Sequence, residues 1–285
     1  MPCSGYSVWC EAVRIIDAHQ HFWSLGEPGH EWPTPAERAI HRDFGADDLR
    51  AAASGFELIG TVLVQSQPTD HDTDWMLALA ADEPLVKAVV GWVDLASADA
   101  PERIAALADM PKVRGLRPML QAIADTEWLL RPDLGPALRA MVTHGLRLDA
   151  LAQPRHLPML REFVARWPGI PVVIDHAAKP RAALGELDPW RADITALADV
   201  GVWAKLSGLR TEQAAGQPAA ELATYVEHLV ACFGDRLMWG SDWPVLALAG
   251  DTWGQWVDDA LHLATNADHD RLFATCAAEF YDFSL

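Results

Sequence analysis

Apolar, β-branched runs return along the chain at intervals: Arg14–Asp17 (RIID), Ile59–Gln65 (IGTVLVQ), Lys87–Asp94 (KAVVGWVD), Lys112–Pro118 (KVRGLRP), Leu146–Leu151 (LRLDAL), Pro171–His176 (PVVIDH), Gly201–Ser207 (GVWAKLS) and Arg236–Asp242 (RLMWGSD). Each is continuous rather than alternating, as in a parallel strand buried on both faces. Between most of them apolar residues recur every three or four positions, as at Leu157, Leu160, Phe163, Val164 and Trp167, which is the spacing of one helix face. A further helix is expected over about 101–108, with Ser97 and Asp99 as candidate caps and Pro101 in its first turn. Eight strands each followed by a helix predict an α/β fold, a single-domain and somewhat distorted (β/α)8 TIM barrel over residues 14–285, with an open doubly wound sheet as the alternative. Residues 1–13 read as a short, loosely packed leader.

In such a barrel the chemistry is built at the C-terminal strand ends. Those ends carry His19 and His21, Gln65, Asp94, Arg117, Asp149, Asp175 with His176, Lys205 with Ser207, and Asp242. Burying so many polar groups without partners would cost several kcal/mol each, so they call for mutual pairing, a metal or a polar ligand. His19 and His21 stand two apart and project to one side of a strand. Two neutral imidazoles can hold a divalent cation, and an aspartate from another strand, Asp242 after Gly240 and Ser241, can complete the site and orient a water. The competing readings are hydrogen-bonded core histidines and an aspartate that only caps a helix.

Composition narrows the partners. The balance of 22 Lys and Arg against 40 Asp and Glu gives a net charge of −18 over 285 residues. That surface disfavours nucleic acid and anionic membrane and favours a small soluble ligand. No run approaches 18 apolar residues and the opening lacks a basic n-region, so a soluble, cytoplasmic protein is expected. The four cysteines show no CxxC spacing and read as buried or incidental thiols. GxSxG, GxGxxG and GxxxxGK[ST] are absent, which removes the case for a serine hydrolase elbow or a nucleotide site. Lys205 reads as an ion pair or substrate contact in preference to a Schiff-base lysine.

DAHQHFW near the start, HAAKP after strand six, KLSGL on strand seven and GSDWPV on strand eight resemble the amidohydrolase superfamily, specifically its amidohydrolase-2 branch of metal-dependent barrel hydrolases, and within it the sugar-acid lactonases. The resemblance runs from about Arg14 to Phe283. It implies His19 and His21 as metal ligands, His176 as the histidine of the later strands, and Asp242 as the residue that takes a proton from the attacking water. It further implies one divalent ion, zinc foremost, on His19, His21 and Asp242, or no tightly held ion. A two-metal centre does not fit, because Arg117 stands where many members carry a bridging lysine or glutamate and Asp149 where many carry histidine. Cys276 replaces the asparagine of an NAxxFY pattern.

The implied reaction is hydrolysis of a sugar-acid lactone of the L-fucono or L-rhamnono type. Asp242 would activate the water, while the histidines, with or without the metal, would polarise the carbonyl. Two alternatives remain open: non-oxidative decarboxylation of an aromatic or unsaturated acid, and a non-catalytic carbohydrate-binding barrel. Among 13 tryptophans, Trp23, Trp32, Trp203 and Trp243 fall near strand ends or following loops, where indoles could stack on a sugar ring. Gln65, Arg117 and Asp149 are further candidate substrate contacts. The proline-rich segment 24–43 is expected to arch over the mouth, with His30 and His41 as solvated loop residues. A homodimer is left open.

Overall fold

The computed structural model describes residues 13–285, and the leader expected over 1–13 falls outside the described residues except for Val13. Eight strands form one parallel sheet in sequence order: β1 Arg14–Gln20, β2 Glu57–Val64, β3 Val86–Gly91, β4 Val113–Leu116, β5 Arg147–Ala150, β6 Val172–Ile174, β7 Trp203–Leu206 and β8 Leu237–Trp239. The helices are α1 Ala46–Ala52, α2 Asp70–Asp82, α3 Ala100–Ala108, α4 Gly135–His144, α5 Leu157–Arg166, α6 Trp190–Asp199, α7 Ala223–Phe233, α8 Trp253–Leu263 and α9 Cys276–Tyr281. The sheet closes where the segment after β8 meets the end of β1: Asp242 N donates to His19 O at 2.8 Å and His21 N to Trp243 O at 2.8 Å. This is the barrel, not the open sheet. No helix among the described residues is long and apolar enough to cross a membrane.

Two buried apolar layers follow from the strand pleat. Ile16, Ala18, Val62, Val64, Ala88, Val90, Val173 and Met238 form one, together with Phe280 and Tyr281 of α9. The other lies between the sheet and the surrounding helices, from Leu49 of α1 to Trp256 of α8. In α3 Pro101 occupies the first turn as expected, and Asp99 stands at the N-cap without a side-chain capping bond.

β1 carries the feature that aims the site. Its register against β2 slips between Asp17, opposite Thr61, and Gln20, opposite Leu63, so one extra residue is accommodated there. Strict alternation would put Asp17 and His19 on the same side. Instead Asp17 faces the helices, accepting from Trp253 Nε1 at 2.8 Å and from Ser241 N and Oγ at 2.8 and 2.5 Å. His19 turns inward. Asp17 thereby ties β1 to the segment after β8, and burial pushes its carboxyl up to about 6 despite those donors.

The closure leaves no room beside Gly240, where an added Cβ would stand 2.8 Å from His19 Cβ and 2.9 Å from its backbone nitrogen. Gly240→Ala is therefore expected to cost about 1–3 kcal/mol through overpacking against backbone, read as a lower denaturant midpoint. An unchanged midpoint would show that the β1–β8 seam is looser than described.

Candidate active site

The barrel mouth assembles three imidazoles around one carboxylate. His21 Nδ1 lies 2.8 Å from Val64 O. A carbonyl only accepts, so Nδ1 carries a proton and Nε2 is the ring nitrogen turned toward the mouth. That Nε2 is 3.2 Å from His19 Nε2 and 3.4 Å from Asp242 Oδ1. His19 Nε2 and His176 Nε2 each stand 3.8 Å from the same oxygen. His19 Nδ1 faces Asp175 at 3.3 Å, which orients its Nε2 toward the mouth.

Behind His19 lies a buried charged network. Lys205 Nζ contacts Asp149 at 2.6 Å and Asp175 at 3.0 Å, and all three side chains are fully buried. Tyr281 of α9 donates to Asp149 at 2.6 Å. Arg117 reaches Asp175 at 3.5 Å and Gln65 O at a shorter distance, while Gln65 Nε2 donates back to Arg117 O at 3.0 Å. Burial works against the Asp175 carboxylate, but Lys205, His19 and Arg117 hold it well below the usual carboxylate range. Asp149 goes the other way, because burial outweighs its attraction to Lys205. Lys205 is thus an ion-pair residue.

Burial also lowers His19 and His176 well below the ordinary imidazole value, so both are neutral at pH 7 and able to use a lone pair. Burial would raise Asp242, yet His176, His21 and Lys179 hold it below its ordinary value as a carboxylate. The backbone is shaped for these roles. His176 and Asp242 have φ of 52° and 56°, and Gly208 (φ 61°) is required beneath His176, since a Cβ there would come within 2.4 Å of Nδ1. His176 Nδ1 is 2.9 Å from Ser207 Oγ.

Ligand atoms of His19, His21 and Asp242 all lie within 4.8 Å of one another. Donors about 2.0–2.2 Å from a tetrahedral zinc are spaced by roughly 3.3–3.6 Å, so the observed 3.2, 3.4 and 3.8 Å fit a single ion with an open position. The set opens onto a cavity of about 430 Å³.

Of the residues singled out in the sequence, His21, Arg117, His176, Asp242 and Trp32 of the loop after β1 line that cavity. The other expected substrate contacts do not line it. Trp23 is buried between Trp32 and Phe44 with Nε1 bonded to Arg42 O, and Trp243 packs on Phe22 and Phe44. Asp149 and Gln65 face Lys205 and Arg117 from within the barrel. Trp203 opens β7 at the opposite strand end and packs on Phe280. His30 is not solvated: its side chain is enclosed, 3.1 Å from the Asp72 carboxylate. Asp72 also accepts from Ser66 N and Gln67 N, and Gln67 Nε2 donates to Trp32 O at 2.6 Å, so the loop is held over the mouth. Gln67, Gln121 and Lys179 also line the cavity and lie in turns after the strands, outside the strand-end pattern of the sequence.

A family model described as amidohydrolase matches residues 16–283. The chain belongs to the amidohydrolase family. It is 45% identical over 274 residues to an L-fucono-1,5-lactonase of Burkholderia ambifaria, covering 93% of this chain and 94% of that one. An L-fucono-1,5-lactonase of Burkholderia multivorans is 36% identical over 255 residues, 84% of each chain. An amidohydrolase from Burkholderia multivorans solved with bound zinc superposes with a TM-score of 0.86 at 30% identity, covering 95% of this chain and all of that one. Within this amidohydrolase, the two described cysteines are free: Cys276 is buried at the start of α9 and Cys232 half-buried.

Proposed function

We propose that this protein hydrolyses a sugar-acid lactone of the L-fucono-1,5-lactone kind. The observation that carries the reading is the His19–His21–Asp242 cluster at the floor of the cavity, in a chain that matches two L-fucono-1,5-lactonases over most of its length. The ionised Asp242 takes a proton from a water as the water oxygen bonds to the ester carbon. The ring C–O bond then breaks, and the proton passes from Asp242 to the departing alkoxide. Neutral His176 flanks that path, with His21 on its other side. Arg117 lines the cavity and is placed to hydrogen-bond a substrate oxygen. A zinc ion on His19, His21 and Asp242 would polarise the ester carbonyl.

A pH-indicator assay against 1,4- and 1,5-sugar lactones tests this reading. Acid release on a stereochemical subset that includes L-fucono-1,5-lactone is the expected result, with at least a tenfold loss after chelation and recovery on adding zinc. Silence across the panel would overturn the lactonase assignment, and full activity after chelation would overturn the zinc.

A further inference from the structure

The strand-end residues account for the ester chemistry but not for Lys179, the one ammonium lining the cavity among the described residues. Its backbone is the last of four consecutive left-handed residues, His176, Ala177, Ala178 and Lys179, with φ of 52°, 49°, 59° and 54° and no glycine among them. Each such residue is unfavourable for an L-amino acid, so the run persists only where its surroundings over-determine it. Here Trp190 Nε1 donates to Ala177 O at 2.7 Å and Lys179 N to His176 O at 2.8 Å. Presenting His176 explains the first residue of the run. The remainder places Lys179 on the same cavity.

Lys179 Nζ stands 3.3 Å from Glu212, which belongs to the loop after β7, and both side chains keep about a fifth to a quarter of their surface exposed, at 22% and 24%. One contact leaves further donors on the ammonium and lone pairs on the carboxylate. Glu212 is not among the residues that line the cavity, but at 3.3 Å from Lys179 it sets an acceptor next to a donor that is, and a donor beside an acceptor is the complement of neighbouring hydroxyls. We propose that Lys179 and Glu212 form the subsite that reads the hydroxyl groups of the lactone, Lys179 donating to one oxygen and Glu212 accepting from the adjacent hydroxyl. This rests on the lactonase reading and gives it a specificity device, since binding energy from the non-reacting part of the substrate is spent on the ester.

The test compares L-fucono-1,5-lactone with δ-valerolactone, a 1,5-lactone without hydroxyls, in the parent protein and in Lys179→Met, Lys179→Arg and Glu212→Gln, with thermal melting as the check on folding. The ratio of kcat/KM for the hydroxylated over the plain lactone is expected to fall ten- to hundredfold in Lys179→Met, less in Glu212→Gln, and to recover in part in Lys179→Arg. An equal loss on both lactones would overturn the subsite and make Lys179 a structural or ester-directed group. A parent protein that opens neither lactone would instead defeat the lactonase reading. In that case calorimetric titration with L-fucose, an inert pyranose, decides the subsite: at least tenfold weaker binding in Lys179→Met supports it, and unchanged affinity or no binding by the parent overturns it.

Discussion

Asp242→Asn is expected to lower kcat/KM for lactone opening by about a thousandfold while shifting the melting temperature by only a few degrees. A positioned general base contributes roughly 10²–10⁴ to rate, and the amide cannot take the proton. The substitution is unusually clean here for a backbone reason. Asp242 sits at φ 56°, a region that asparagine also enters readily, so the turn that closes the barrel survives. The backbone bond from Asp242 N to His19 O is untouched. Activity within tenfold of the parent would sink the proposed mechanism, and a collapse of stability would show that the carboxylate is mainly structural.

Lys205→Met carries the largest expected effect on stability. It strips the cation from Asp149 and Asp175, both fully buried, and leaves His19 beside an unbalanced carboxylate. Removing one partner of a buried ion pair costs about 3–5 kcal/mol, which for a chain of this size lowers the melting temperature by roughly 5–8 °C. A second substitution, Asp149→Asn, removes one of the stranded charges and is expected to recover part of the loss. A shift below about 2 °C in the single variant would mean that the network is hydrated or already neutral.

The placement of His19 and His21 at a common strand end with Asp242 opposite was legible because each lies directly after an apolar run, and apolar runs mark buried strands whatever surrounds them. Five expected substrate contacts lie away from the cavity lining, Trp203 because it opens its strand instead of ending it. Trp23, Trp243, Gln65 and Asp149 also follow or end strands, but proximity to a strand end says nothing about which way a side chain turns. The loop histidine His30 was misjudged for a related reason: its partner Asp72 is 42 positions away, in the first turn of α2.

Strand number, strand order and the polar strand ends follow from the sequence by itself, because hydrophobic periodicity is local and a right-handed strand-helix repeat has few ways to close. The aim of the site was decided by the tertiary structure. An extra residue in β1 turns His19 inward while Asp17 turns out, Lys205 and Asp149 meet across 56 residues, and Tyr281 reaches Asp149 across 132. Those outcomes depend on which buried polar groups find each other once the barrel closes, and satisfying them is a condition on the whole fold that no local pattern encodes.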